Sequence, residues 1–289
     1  MSRLREFRRK LDEIQRRREP GRSPERERRW SPFLQSVLTR ASQLPPPPPH
    51  LPRDLAEVCS GEVREAPRGG RAWVMVECDP AWSVTAARLS AAVSSTGSPL
   101  RERLHRFAGA AEPRAEDLLF VDIETTGLGS TPLFLIGTMS LVEGGLRIRQ
   151  YLARDYAEER AALEMFLEEL GDGRILVSFN GKSFDLPYIR VRLSYHRESA
   201  PPALPHYDVL LEARRVWRGT VPDCRLKTLE HAICGRERVD DIDGALIPEA
   251  YHRFVRTGDA AEIALVVRHN RHDLLTMAEL MLRMPALPA

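Results

Sequence analysis

Residues Leu118 to Ile123 form an apolar run interrupted only by Asp122. A run without polar alternation marks a central strand buried on both faces, so layers must cover the sheet from above and below. An α/β arrangement of a sheet flanked by helices meets that demand. Asp122 and Glu124 stand two residues apart on this strand, which sends both side chains to the same face. Unpaired buried charges cost several kcal/mol each even after relaxation, so a carboxylate pair here calls for a cation. Thr125, Thr126 and Gly127 then end the strand in a polar turn that opens this face to solvent and substrate. Two readings stand at this point: metal ligands, or acidic residues solvated at a strand end.

The surrounding pattern extends the sheet. Phe134 to Leu141 and Leu146 to Leu152 read as two more strands joined by a Glu143-Gly144-Gly145 turn, which makes an antiparallel meander. Ala157 to Leu170 has helical spacing and stops at Gly171 and Gly173; Arg174 to Phe179 is the next strand and Pro187 to Tyr195 a helix. Short helices are expected over Val209 to Trp217, Lys227 to Cys234 and Pro248 to Thr257, and a long one from Ala260 to Arg283. Upstream, residues 51–116 hold an apolar alternation at Ala72 to Cys78 and a helical pattern at Leu100 to Phe107. We read them as an accessory region packed on a domain over 117–289.

The first 50 residues have a different texture. Residues 1–29 carry 12 Lys or Arg against 6 Asp or Glu, a net of +6 that leaves −4 for the remaining 260. Leu4, Phe7, Leu11 and Ile14 put one apolar stripe on this Arg-rich segment, and Pro45 to Pro49 are restricted to an extended linker. The segment reads as a basic, partly disordered extension: an arm for nucleic acid or a docking helix for a protein, or else a solvated helix. No apolar stretch approaches the roughly 20 residues of a membrane span, and the N-terminus lacks the apolar core of a signal peptide. Four scattered cysteines make no disulfide framework, and a cytoplasmic location is expected. His231 and Cys234 have spacing for the start of a zinc site, or are ordinary side chains.

Two further carboxylates matter. Asp185 follows the turn Asn180-Gly181 and reads either as a ligand or as a favourable acid in a helical first turn. Asp273 lies four residues after His269, so the two stack on one face of the last helix, which alone is an ordinary polar pair. Lys182, Arg225 and Lys227 are cations near the second of these segments, for phosphate contact or for solvation. His206 and Asp208 are read as the beginning of a helix, with Asp208 as its cap.

The segments Asp122-Ile-Glu124-Thr-Thr-Gly, Asn180-Gly-Lys-Ser-Phe-Asp185 and His269-Asn-Arg-His-Asp273, in this order, resemble the three exonuclease motifs of the DEDD (DnaQ-like) superfamily. More closely, residues 116–284 are similar to YprB-like RNase H-fold proteins, a resemblance that includes Phe134-Leu-Ile-Gly137, His206-Tyr-Asp208, Cys224 to Glu230 and Asp240 to Gly244. The resemblance implies an RNase H-like fold, with a mixed central sheet flanked by helices. It also implies two Mg²⁺ or Mn²⁺ ions on Asp122, Glu124, Asp185 and Asp273, for hydrolysis of phosphodiester bonds of DNA or RNA from the 3′ end. Hard oxygen donors suit those ions. One departure stands out: His269 occupies the position of tyrosine in the Y-x-x-x-D branch, whereas the H-x-x-x-x-D branch would put its histidine at Arg268. His269 is thus the expected water-activating residue, with His272 as the alternative. Two other functions share this sequence: a nucleic-acid-binding or scaffolding module with little catalysis, and a structure-specific endonuclease on the same fold.

Overall fold

The computed structural model describes residues 53–108, 112–127 and 129–286. The basic helix and Pro-rich linker expected over residues 1–50 lie outside them. One seven-stranded sheet organises the rest, in the order β1-β2-β5-β4-β3-β6-β7. These strands are β1 (Glu62–Glu65), β2 (Arg71–Glu77), β3 (Leu118–Thr125), β4 (Leu133–Val142), β5 (Gly145–Leu152), β6 (Ile175–Ser178) and β7 (His206–Asp208). The meander β3-β4-β5 is antiparallel, whereas β6 pairs parallel to β3 and β7 parallel to β6. Residues 62–77 continue the same sheet on the far side, with β2 antiparallel to β5 and β1 antiparallel to β2.

Helices cover both faces, as the apolar β3 requires. They are α1 (Leu55–Val58), α2 (Ser83–Ser94), α3 (Pro99–Ala108), α4 (Glu159–Glu169), α5 (Asp185–Tyr195), α6 (Val209–Trp217), α7 (Leu226–Leu229), α8 (Ile247–Thr257) and α9 (Ala261–Arg283). Alternation along β3 divides the core. Leu119, Val121 and Ile123 pack with Leu163 and Phe166 of α4 and Ile189 of α5. Leu118 and Phe120 face the other way, against Leu274, Met277 and Met281 of α9 and Ala213 of α6. By the period of two, Asp122 and Glu124 continue the Leu118-Phe120 face and point toward α9. A third cluster joins Phe134, Leu135 and Leu152 to Tyr251 of α8 and Val266 of α9.

Two local expectations are corrected. His206 to Asp208 form an edge strand rather than a helical turn; Asp208 does cap the helix that follows, accepting from Leu210 N at 3.1 Å. The cap and the two residues before it are claimed by the parallel ladder to β6. The helix expected over Lys227 to Cys234 is α-helical only to Leu229 and then widens into a π-helical turn, Glu230–Cys234, closed by left-handed Gly235. No described helix is long and apolar enough to cross a membrane.

Candidate active site

The carboxyl ends of β3 and β6 and the middle of α9 bring the sequence motifs together. Asp122 pairs with Gly137 on β4, and Gly137 pairs with Gln150 on β5, so these residues form a row across three strands. Asn270 of α9 lies over this row. A Cβ on Gly137 would come within 1.9 Å of the Asn270 Oδ1, so glycine is the only residue that leaves room. Gln150 Nε2 donates to Asn270 Oδ1 at 2.8 Å, and Asn270 Nδ2 donates to the Asp122 carbonyl at 3.1 Å and to its carboxylate Oδ2 at 2.8 Å. That chain fixes the Asp122 rotamer from behind.

Asp185 arrives through the loop between β6 and α5. Asn180 takes a left-handed conformation at φ 66°, a region that asparagine tolerates better than most residues. Its backbone N–H and that of Lys182 donate to the Asp208 carboxylate at 2.9 and 3.1 Å. Gly181 N donates to Ser178 Oγ at 3.1 Å, and Ser178 Oγ also meets His206 Nε2 at 2.7 Å. Held this way, α5 starts at Asp185, two residues earlier than the sequence suggested, and the Asp185 carboxylate accepts from the backbone N–H of Ile123, between Asp122 and Glu124. β3 and β6 are paired only as far as Phe120 and Val177, so Asp185 serves a stretch of β3 beyond that ladder.

The fourth carboxylate, Asp273, comes with a set of partners that sequence reasoning missed. Arg238 Nη2 lies 2.6 Å from Asp273 Oδ1, its Nε donates to Glu230 Oε2 at 2.6 Å, and its Nη1 is 3.6 Å from Asp241 Oδ2. Asp241 in turn meets Lys227 Nζ at 2.8 Å and His269 Nδ1 at 2.8 Å. The His269 Nε2 then faces Asp273 Oδ2 at 3.6 Å. His269 is buried, while the Asp273 side chain keeps 16% of its exposure, so the site opens to solvent on the carboxylate side.

Electrostatics confirm that the four carboxylates act on one another. Burial, then repulsion from Asp273, Glu124 and Asp185, holds Asp122 well above the usual carboxylate range. Glu124 is raised in the same way by burial and by Asp273, Asp185 and Asp241, with Arg238 in partial opposition. Burial pushes Asp185 up to about 7 despite two backbone N–H donors. Asp273 is raised by burial although His269 and Arg238 oppose it. At Asp241 burial is outweighed by Lys227 and His269, which hold it below the usual range. A multivalent cation relieves such strain directly. The donor set fits one: four hard carboxylates whose shared burial raises each of them. Among the described residues no three His, Cys, Asp or Glu side chains already form a closed ligand set.

The remaining sequence-selected residues divide. Lys227 is joined to the site through Asp241. Thr126 is buried and binds the Pro132 carbonyl through both its N–H, at 2.9 Å, and its hydroxyl, at 3.0 Å, so it shapes the turn after β3. Lys182 lies 5.0 Å from the ring centroid of Phe107, and Arg225 is exposed beside Asp223 at 3.8 Å. His272 is not drawn into the carboxylate set by any hydrogen bond, and burial holds it down at about 4. His231 and Cys234 are not gathered for zinc: His231 faces Glu237 at 3.4 Å and Cys234 leans on the core. Of the residues given no role, Asn270 and Asp241 lie inside segments that carry the family resemblance, and Arg238 had no local signal.

A family model of the RNase H superfamily matches residues 119–284. The uncharacterised protein YprB of Bacillus subtilis (strain 168) is 34% identical over 173 residues, 58% of this chain and 42% of that relative's length. The chain therefore spans less than half of the curated relative. Among solved structures, the family B DNA polymerase of the hyperthermophilic archaeon Pyrobaculum calidifontis aligns over 56% of this chain and 24% of its own, at 16% identity and a TM-score of 0.45.

Proposed function

This chain belongs to the RNase H superfamily, and from that premise we propose that it is a metal-dependent nuclease of the DEDD type that removes nucleotides from the 3′ end of DNA or RNA. The reading is supported above all by one observation: carboxylates from β3, α5 and α9 are buried together, so that burial first and then neighbouring carboxylates raise each of Asp122, Glu124 and Asp185. Asp122, Glu124 and Asp273 would hold one divalent ion, and Asp122 with Asp185 a second. Mg²⁺ or Mn²⁺ bound there would supply water activation and stabilisation of the leaving 3′ oxygen.

The protein's own groups have separate tasks in this scheme. With His269 Nδ1–H donated to Asp241, the Nε2 lone pair faces the carboxylates and can take the proton of the attacking water. Asp241 sets that tautomer and steadies the imidazolium, and Lys227 holds Asp241. Asn270 keeps Asp122 from turning away, and Arg238 opposes the upward push of burial on Asp273.

The test is incubation of purified protein with 5′-labelled single-stranded and duplex DNA and RNA, with Mg²⁺, Mn²⁺ or EDTA. A ladder that shortens from the 3′ end only with metal, and not with Asp122→Asn, is the expected outcome. Intact substrate under every condition, or cleavage that Asp122→Asn retains, refutes the reading. A second reading, nucleic-acid binding without hydrolysis, draws on Arg238, because a guanidinium already neutralises Asp273. It requires tight binding in EDTA together with the absence of any product.

A further inference from the structure

Beside the four carboxylates the protein keeps a cation of its own. Arg238 lies in the loop after the π-helical turn with its side chain 5% exposed, and three carboxylates surround its guanidinium. Glu230 Oε2 accepts from Nε at 2.6 Å, Asp273 Oδ1 is 2.6 Å from Nη2, and Asp241 Oδ2 is 3.6 Å from Nη1. Glu230 is buried too, and its other oxygen faces Arg236 Nη2 at 3.3 Å. Arg236 is tied in turn to α9, through Glu279 Oε1 at 2.9 Å and Thr276 Oγ1 at 3.0 Å. Arg238 is therefore held from the side of Glu230, whatever Asp273 binds. A guanidinium keeps its proton in proteins, so this charge is permanent.

The charge is spread unevenly over the site. Asp273 meets it directly, and Arg238 opposes the rise at both Glu124 and Asp273. Asp122 and Asp185 are served by neutral dipoles instead: the Asn270 amide at 2.8 Å for Asp122, and backbone N–H groups for Asp185. Glu124 and Asp273 belong, with Asp122, to one of the two ions of the nuclease reading, and Asp185 with Asp122 to the other. The first ion must share Asp273 with a guanidinium that is already in place. The second meets no such rival at Asp185. Like charges on one carboxylate repel, and dissolved salt screens the repulsion little where the guanidinium is buried.

We propose that Arg238 is a built-in competitor for the ion on Glu124 and Asp273, so that the protein loads its two divalent cations in a fixed order. The ion on Asp122 and Asp185 enters first, and the ion on Glu124 and Asp273 follows only at higher metal concentration. A half-loaded site lacks one of the two charges that hydrolysis uses, so Arg238 ties turnover to the supply of divalent metal. The inference rests on the nuclease reading for the placement of the ions and adds a regulation to it. Metal binding is measured without hydrolysis, so the two can fail separately.

The experiment titrates Mn²⁺ into the full chain, stripped with EDTA and exchanged into buffer, and reads the unbound ion by its electron paramagnetic resonance signal. The unmutated protein should bind two ions in two classes of different affinity. Arg238→Met should tighten the weaker class about tenfold, an ordinary coupling between two sites, and the stronger class less than about twofold. Arg238→Lys keeps the charge and should tighten the weaker class far less. Arg238→Met leaves Glu230 buried with Arg236 alone, so Arg238→Met/Glu230→Gln, which removes the pair together, is measured beside it and should shift the same class in the same direction. In Asp185→Asn the remaining ion should respond to Arg238→Met, and in Glu124→Gln it should not. Arg64→Met, an exposed cation on β1, is the control and should move neither class. The proposal is overturned if Arg238→Met leaves both classes in place or shifts them equally, if Arg238→Lys tightens the weaker class as much, or if none of these proteins binds Mn²⁺. Ordered loading in a protein that yields no product would sink the nuclease reading and leave the inference standing. Product from a protein whose two classes ignore Arg238 would do the reverse.

Discussion

The molecule buries carboxylates on both faces of its sheet and treats them in opposite ways. On one face Glu159, the first residue of α4, is 1% exposed and fully served: it accepts from Arg192 Nε and Nη2 at 2.6 and 2.5 Å, from Leu133 N at 2.7 Å, and from His196 at 2.9 Å. Across the sheet, burial raises Asp122, Glu124, Asp185 and Asp273 together, and Arg238 opposes it at Glu124 and Asp273. Full pairing is what a carboxylate needs when it holds α4, α5 and β4 together. Incomplete pairing stores affinity for a cation that comes from outside. The difference separates a structural charge from a functional one more sharply than burial does.

The largest effect that can break this comparison is on turnover. Asp122→Ala should lower the rate of nucleic-acid hydrolysis by about 10³-fold, several kcal/mol at about 1.36 kcal/mol per factor of ten, while the Tm of the metal-free protein stays level or rises. A clear fall in Tm would place Asp122 with Glu159 among the structural charges. The mirror experiment is Glu159→Ala, expected to cost about 3 to 5 kcal/mol in urea unfolding because Arg192, 5% exposed, is left buried without its partner. A loss under about 1 kcal/mol would show that the pairing on that face is not needed.

Next in size is the His269–Asp241 pair. His269→Ala should reduce kcat by about 10²-fold, as removal of a general base does, and Asp241→Asn by less. The double variant should be no worse than His269→Ala, since Asp241 acts only through the imidazole. Additive losses in steady-state kinetics would instead give Asp241 a separate role.

The smallest effect is a pH dependence in which the two kinds of buried group have opposite signs. Burial holds His206 down at about 4, so its contribution to stability is present above the unfolded pKa near 6.5 and is lost as pH falls toward 4. Asp185 is pushed up to about 7, so its contribution is present at low pH and is lost as pH rises from about 4 through 7. In EDTA, therefore, His206→Gln should flatten the acid-side fall in Tm, and Asp185→Asn should flatten the alkaline-side fall. Unaltered profiles in both variants would remove the electrostatic basis of the comparison.

Much of the frame was legible because its signals are local. The apolar run at Leu118, the Glu143-Gly144-Gly145 turn and the periodic α9 each announce themselves within a few residues, and the structure extends or trims them by one or two. The four-residue strand β1, exposed at every position, and the three-residue β7 carry too little pattern to be read. At the site, the four carboxylates stood out as acids in motifs, but what orients them did not. Asn270 reaches Asp122 across 148 positions of sequence, and Gln150 reaches Asn270 across 120, so neither contact has a period or a spacing to betray it. Arg238 and Asp241 lie between the π-helical turn and α8; the resemblance over Asp240 to Gly244 marked Asp241 without giving it a role, and nothing in the local pattern separates Arg238 from a surface charge.

The missing side chain at Gly137 has a consequence for how the protein assembles. Only with Gly137 opposite Asp122 can Asn270 descend onto the row it shares with Gln150. A slip of β4 by one residue would set Ile136 or Thr138 there, and the side chain would hold α9 off the sheet. Docking of α9 thus proofreads the meander: a chain with misaligned strands cannot close its last helix, and it cannot bring Asp273 to the carboxylates of β3 either.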